Sequence, residues 1–174
     1  MARYRFSTRM RFGAGVSEVH RAIVDPSGWL ELWGDAVEVR RVDDGDERGV
    51  GRTFDATVRA PVGYRLSASI ETVEVDGPAA RPDGSWRSHL RMRSSGQLDG
   101  TGTWDLSGGT TATDVHFVWD VVTTARWMDL LTPIARPLFE RSHGVVVRNA
   151  SEAAAAHLGT DLLAFDSGPV RNEA

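Results

Sequence analysis

From Trp127 to Leu158 the chain reads WMDLLTPIARPLFERSHGVVVRNASEAAAAHL, and from Pro133 onward every local signal is helical. Thr132 suits an N-cap, Pro133 the first helical position, and Gly159 a C-terminal stop. Pro137 falls in the first turn or just past it, so the helix either begins there or is kinked there. Counted at about 100° per residue, Leu131, Ile134, Ala135, Leu138, Ser142, Val145, Val146, Asn149, Ala153 and Ala156 form one stripe. Arg136, Glu140, Arg148, Ser151 and Glu152 lie off it or at its edge, and His143 sits about 120° from its centre. From Pro133 to His157 the rise is about 37 Å, as long as a small domain is wide. An apolar face of that length needs a whole sheet to cover it.

The preceding chain supplies the sheet. Tyr4, Phe6, Thr8, Met10 and Phe12 alternate with Arg3, Arg5, Ser7, Arg9 and Arg11, the pattern of a half-buried strand. Ser17 is placed to cap a short helix on which Val16, Val19, His20 and Ile23 share a face, ended by Pro26 and Gly28. GWLELWG follows, carrying Trp29, Leu32 and Trp33. Strands are expected over 37–42, 52–59 and 64–75, with a loop over 76–84. Trp86, Ser88, Leu90 and Met92 then alternate with Arg87, His89, Arg91 and Arg93. Leu98, Gly100, Gly102, Trp104 and Leu106 share one face of the next strand, and Val115, Phe117, Trp119 and Val121 the inner face of the last. Beyond Gly159 no period is sustained, so residues 160–174 are expected to be a fraying tail. The order is that of an α+β domain, a curved antiparallel sheet closed around one C-terminal helix.

Composition narrows the function classes. With 174 residues, 41% of them hydrophobic, the chain suffices for one core and needs no second domain. Cysteine is absent, which excludes disulfides and thiolate metal sites. A net charge of −4 argues against nucleic acid as a partner. No apolar run reaches membrane-spanning length and the first residues are too polar for a secretory signal, so a cytoplasmic location without membrane insertion is expected. There is no HExxH, no cluster of metal ligands, no phosphate-cradling glycine loop and no nucleophile motif, so no metal or cofactor is expected.

Three stretches carry a family resemblance. They are VSEVHRAIVDPSGWLELW (Val16 to Trp33), the glycine-alternating strand from Gly96 to Trp104, and WDVVTTARWMDLLTPIARPLF (Trp119 to Phe139) with His143. In order and spacing, over about residues 4–159, they resemble the START-like or SRPBCC superfamily, and most specifically its polyketide cyclase/dehydrase-like subgroup. The resemblance implies a helix-grip (START/Bet v 1-like) fold, a single ligand-binding domain over 1–159, and a cavity between sheet and helix.

Strand parity indicates what lines such a cavity. Tyr64, Trp86, Trp104 and Trp119 point inward, with Leu138 and Val145 from the helix stripe and Trp29 and Trp33 at the rim. Thr8, Ser88, Ser142 and Asn149 are the polar inward groups. Apolar walls with a few hydrogen-bonding groups suit a small hydrophobic or aromatic ligand, polyketide- or lipid-like. Alternatively, the inner-face glycines let the helix pack closely and the cavity is small. No carboxylate falls on the inner face, which favours binding over acid-base catalysis. The competing reading is a polyketide aromatase/cyclase or dehydratase acting on a poly-β-ketone, with His20 and Tyr64 as candidate catalytic groups. His143 reads as a structural histidine.

Overall fold

Alternation in β1 (Arg3–Phe12) is realised residue by residue: Tyr4, Phe6, Thr8, Met10 and Phe12 are buried, while Arg3, Arg5, Arg9 and Arg11 are exposed and Ser7 is half-buried. The computed structural model describes residues 1–28, 37–59, 65–124 and 132–170, without the side chains of 132–136 and 138. After β1 come α1 (Val16–Val24), a single 3-10 turn (Pro26–Gly28), β2 (Val37–Asp43), β3 (Thr53–Arg59) and β4 (Arg65–Ala80). Then follow β5 (Trp86–Gly96), β6 (Leu98–Gly108), β7 (Thr113–Thr123), α2 (Thr132–His157) and β8 (Leu162–Pro169). The strands form one antiparallel eight-stranded sheet in the order β2-β3-β4-β5-β6-β7-β1-β8. This is the α+β helix-grip architecture expected from the sequence.

Two apolar clusters line the concave face. Met10, Phe12, Leu90, Leu106, Val115 and Phe117 bury α1 and the alanine-rich end of α2, Ala153 to Ala155. Tyr4, Phe6, Leu66, Leu98, Val121 and Phe139 form the second cluster. Trp119 packs against both. Each large side chain so buried contributes about 1.5–3 kcal/mol.

Four local expectations are corrected. Ser17 is exposed and is not the cap; α1 starts at Val16, and the Glu18 carboxylate accepts the Gly15 N–H at 3.0 Å. The loop expected over 76–84 is mostly strand, because β4 runs on to Ala80. Register shifts at Thr72/Glu74 and Asp76/Ala79 let it absorb Gly77 and Pro78, and the turn shrinks to one closed by Arg81 N–H on the Ser85 carbonyl at 2.7 Å.

The tail does not fray. Gly159 (φ +65°) ends α2 in a Schellman arrangement, with Thr160 N–H on the Ala155 carbonyl at 3.0 Å, and the chain then turns back as β8 along β1. There it pairs with backbone groups of β1 that would otherwise form an open edge. Arg148 of α2 stacks over the Phe165 ring at 4.4 Å.

The fourth correction concerns the helix face. Phe139, His143, Ser151, Ala153, Ala154 and Ala155 are buried, whereas Val145, Asn149 and Ala156 are exposed. The buried stripe is therefore rotated by one residue, about 100°, from the one counted in the sequence. Burial of the Phe139 and His143 rings against β1 outweighs that of Val145, which stands 53% exposed.

Candidate functional site

The concave face carries a continuous run of rings. Phe139 approaches Tyr4 (centroids 4.6 Å apart) and Phe6 (5.8 Å). His143, one turn further along α2, stacks on Phe6 at 3.9 Å with 22° between planes, and on Trp119 at 5.2 Å and 21°. Across the sheet Trp104 stacks on Phe117 at 4.0 Å. Gly102 joins the two halves. A Cβ there would lie 3.1 Å from Phe117 Cε2, 3.2 Å from Met92 Cε and 3.6 Å from Trp119 Cδ1. The missing side chain thus makes room for neighbouring rings and a methionine methyl, in keeping with the packing role that the sequence left open for this glycine.

Two nitrogens in this wall, His143 Nε2 and Trp104 Nε1, are buried without a hydrogen-bond partner. Burial alone pushes the His143 pKa down to about 3, since no charged group offsets the loss of hydration. The imidazole is therefore neutral at physiological pH: it can donate or accept a hydrogen bond but is a poor base.

His20 is arranged differently. It projects from α1 so that Nδ1 lies 2.6 Å from Ser88 Oγ, and the Ser88 hydroxyl donates to the Asp76 carbonyl at 3.0 Å. With that proton committed, His20 Nδ1–H must donate to Ser88, leaving Nε2 with its lone pair. Burial, and secondarily the Arg21 charge, lower the His20 pKa. Ser88 satisfies a carbonyl at the β4 irregularity, so its hydroxyl is already engaged.

Of the residues singled out in the sequence, Trp86, Trp104 and Trp119 lie on the concave side, each half-buried against the core. Thr8 is buried and bonded to Ser167 Oγ at 2.8 Å, Ser88 is buried with His20, and Ser142 is half-buried. Val145 and Asn149 point to solvent, so neither lines the interior, for the helix rotation given above. Trp29, Trp33 and Tyr64, and the Leu138 side chain, lie outside the described residues. The sequence reading missed His143 as a member of the ring cluster. The i, i+4 spacing of Phe139 and His143 places the two side chains on one face and was the available signal.

A separate groove of about 830 Å³ opens on the opposite, outer face, lined by Arg9, Arg87, His89, Asp105, Asp114 and His116 among others. Its polar groups are largely matched to one another: His89 to Asp105 (2.7 Å), His116 to Ser7 (2.8 Å) and Arg11 to Asp114 (3.3 Å). It shares no ring with the concave cluster, and we place the candidate site on the concave face. Among the described residues no group of three or more His, Asp or Glu could hold a metal, and no helix is long and apolar enough to cross a membrane.

No family model and no curated protein matches the sequence. Solved structures do match. A START superfamily protein from Mycobacterium smegmatis is 12% identical, with 90% of this chain aligned to 97% of that one at a TM-score of 0.56. The di-domain ARO/CYC StfQ from the steffimycin biosynthetic pathway is 13% identical, with 89% of this chain aligned to half of that one (50%) at a TM-score of 0.64. Norcoclaurine synthase from Thalictrum flavum is 13% identical, with 91% of this chain aligned to 88% of that one at a TM-score of 0.52. Identities this low establish likeness of fold alone, and the fold of this chain is a helix-grip fold like that of these START-like structures.

Proposed function

We propose that the concave face binds a small hydrophobic or aromatic molecule, polyketide- or lipid-like, laid against Trp104, Phe117 and Trp119. The observation that carries this reading is the pair of unpartnered nitrogens, His143 Nε2 and Trp104 Nε1, in a wall otherwise made of rings and aliphatics. A buried polar group left unpaired costs about 1–3 kcal/mol, and a guest supplying an oxygen to each would recover part of that. Both atoms are shielded, so the guest must displace something that rests on the rings. Met92 is the flexible, half-buried side chain beside Gly102, and its thioether adapts readily. Trp86 extends the same wall, Ser142 adds a hydroxyl at its edge, and Trp29, Trp33, Tyr64 and Leu138 are proposed to complete the contact. Native mass spectrometry of the purified protein, with displacement of a fluorescent hydrophobic probe, tests the reading. A retained small molecule, or saturable probe binding weakened by Trp104→Ala, is expected. Absence of both refutes it.

A second reading, a polyketide cyclase or dehydratase acting on a poly-β-ketone, is favoured by one observation. His20 is held by Ser88 in the tautomer that leaves Nε2 unprotonated, the form a general base requires. It predicts turnover of a poly-β-ketone surrogate that titrates with a histidine and collapses in His20→Ala. Undiminished turnover in that variant removes the assignment to His20.

A further inference from the structure

We infer that the groove on the outer face is a second binding site, for an elongated organic anion with an acid group at each end of a hydroxylated middle. At about 830 Å³ the groove is large enough for a small-molecule guest. Strand register sets its floor. Arg9 of β1 faces His116 of β7, which faces Asp105 of β6, which faces His89 of β5. Beside this row Ser107 lies between Asp114 and Arg87. Past the irregularity at Asp76/Ala79, the end of β4 and the following Arg81 supply one wall.

Elsewhere on the sheet arginines are matched: Arg3, Arg40, Arg59, Arg91 and Arg93 each meet a carboxylate at 2.7 or 2.8 Å. Arg9, Arg81 and Arg87 all line the groove, and among the described residues none of them forms an ion pair. Asp166, the cross-strand neighbour of Arg9 on β8, does not line the groove. Nor does Asp83, which lies near enough to Arg87 for their charges to interact but is bound by the Ser85 N–H and hydroxyl. Of the carboxylates that do line it, Asp105 is taken by His89 (2.7 Å) and Asp114 by Arg11 (3.3 Å), which leaves Asp76. Three guanidinium groups against one carboxylate leave positive charge unmatched, on a chain whose net charge is −4.

These cations stand at two ends. β1 and β5 are three strand spacings apart, about 14 Å between backbones, with Arg9 at one end and Arg87 and Arg81 at the other. Side chains stand roughly perpendicular to a sheet, so the two ends do not converge on one acid group, whereas a guest with an acid at each end meets both. Between them the floor offers the His116 and His89 rings and the half-buried Ser107 hydroxyl, which makes no hydrogen bond among the described residues. Hydroxyls in the middle of the guest find partners there.

The test is isothermal titration calorimetry of the full chain at neutral pH and low salt with two matched pairs, fructose 1,6-bisphosphate against fructose 6-phosphate and glucarate against gluconate. In at least one pair the two-ended compound should bind about tenfold or more tighter than its one-ended partner, and the pair that shows it tells phosphate from carboxylate. Arg9→Gln and Arg87→Gln, both changes of exposed side chains, should each remove that advantage. Arg93→Gln, also exposed on β5 but outside the groove, should keep it. No advantage in either pair, or no binding at all, overturns the inference. So does an advantage that survives in both groove variants, or one that Arg93→Gln lowers as much as they do, which marks general attraction to a basic face. The comparison within each pair needs only the wild-type chain, so it can refute the inference even if a variant fails to fold. Because the groove shares no ring with the concave cluster, either result leaves the binding reading above standing.

Discussion

Replacing His143 by phenylalanine should change how the stability of this protein depends on pH. In the folded chain the imidazole is buried against Phe6 and Trp119, and that burial pushes its pKa down to about 3, whereas an unfolded histidine titrates near 6.5. Above about pH 6.5 both states are neutral and the residue contributes no pH dependence. As pH falls below that, the unfolded chain takes up a proton that the folded chain refuses. Stability then drops by up to about 1.4 kcal/mol per pH unit until the folded pKa is reached, below which the loss levels off. Between about pH 6.5 and 4.5 the accumulated loss is about 2 kcal/mol. Carboxylates titrate over part of this range too. Asp120, for example, is held below the usual carboxylate range by its hydrogen bond from Arg3, but this is common to both proteins and cancels in the difference. The measurement is urea unfolding by circular dichroism at a series of pH values for wild type and His143→Phe. The difference should be small at pH 7.5 and favour the variant increasingly toward pH 4.5. Parallel pH profiles would refute the buried, neutral histidine.

The remaining predictions concern packing. Phe139→Ala should cost about 3–5 kcal/mol, while Val145→Ala and Asn149→Leu stay within about 0.5 kcal/mol in denaturant unfolding; the reverse ranking would contradict the helix orientation. Gly100→Ala should destabilise by about 3 kcal/mol, because its Cβ would fall 2.1 Å from the Asp120 carbonyl oxygen, whereas Gly102→Ala, facing a movable Met92, should cost about 1 kcal/mol. A double-mutant cycle on Arg148 and Phe165 should return a coupling of about 0.5–1 kcal/mol from the stacked guanidinium, and a zero coupling would deny the contact. Deleting residues 160–174 should speed hydrogen exchange at the β1 amides that β8 covers; unchanged exchange would mean that the tail frays after all.

Much of the sheet was legible because period-two alternation is unambiguous wherever apolar and charged residues strictly alternate. Tyr4 to Phe12 set against arginines leaves one possible inward face, and Trp86 to Met92 repeats the pattern. β4 was cut short because Pro78 and Gly77 read as turn residues. Two irregularities in its pairing with β5 carry the strand through them, and irregularities of pairing leave no mark on one strand's sequence.

The sequence by itself determined the element order as far as the long C-terminal helix and the inward face of most strands, since these follow from local periodicity and chain stereochemistry. Which side of that helix is buried was decided only by tertiary structure. From Ala150 to Ala156 alanines dominate, so the hydrophobic contrast between faces is weak there, and burial of Phe139 and His143 against residues more than 100 positions away set the rotation. β8 was decided in the same way, because its half-apolar sequence acquires a partner only once β1 presents an open edge. The neutrality of His143 belongs to the same category. A histidine's charge depends on what surrounds it, and here the surroundings are rings brought together from β1, β7 and α2.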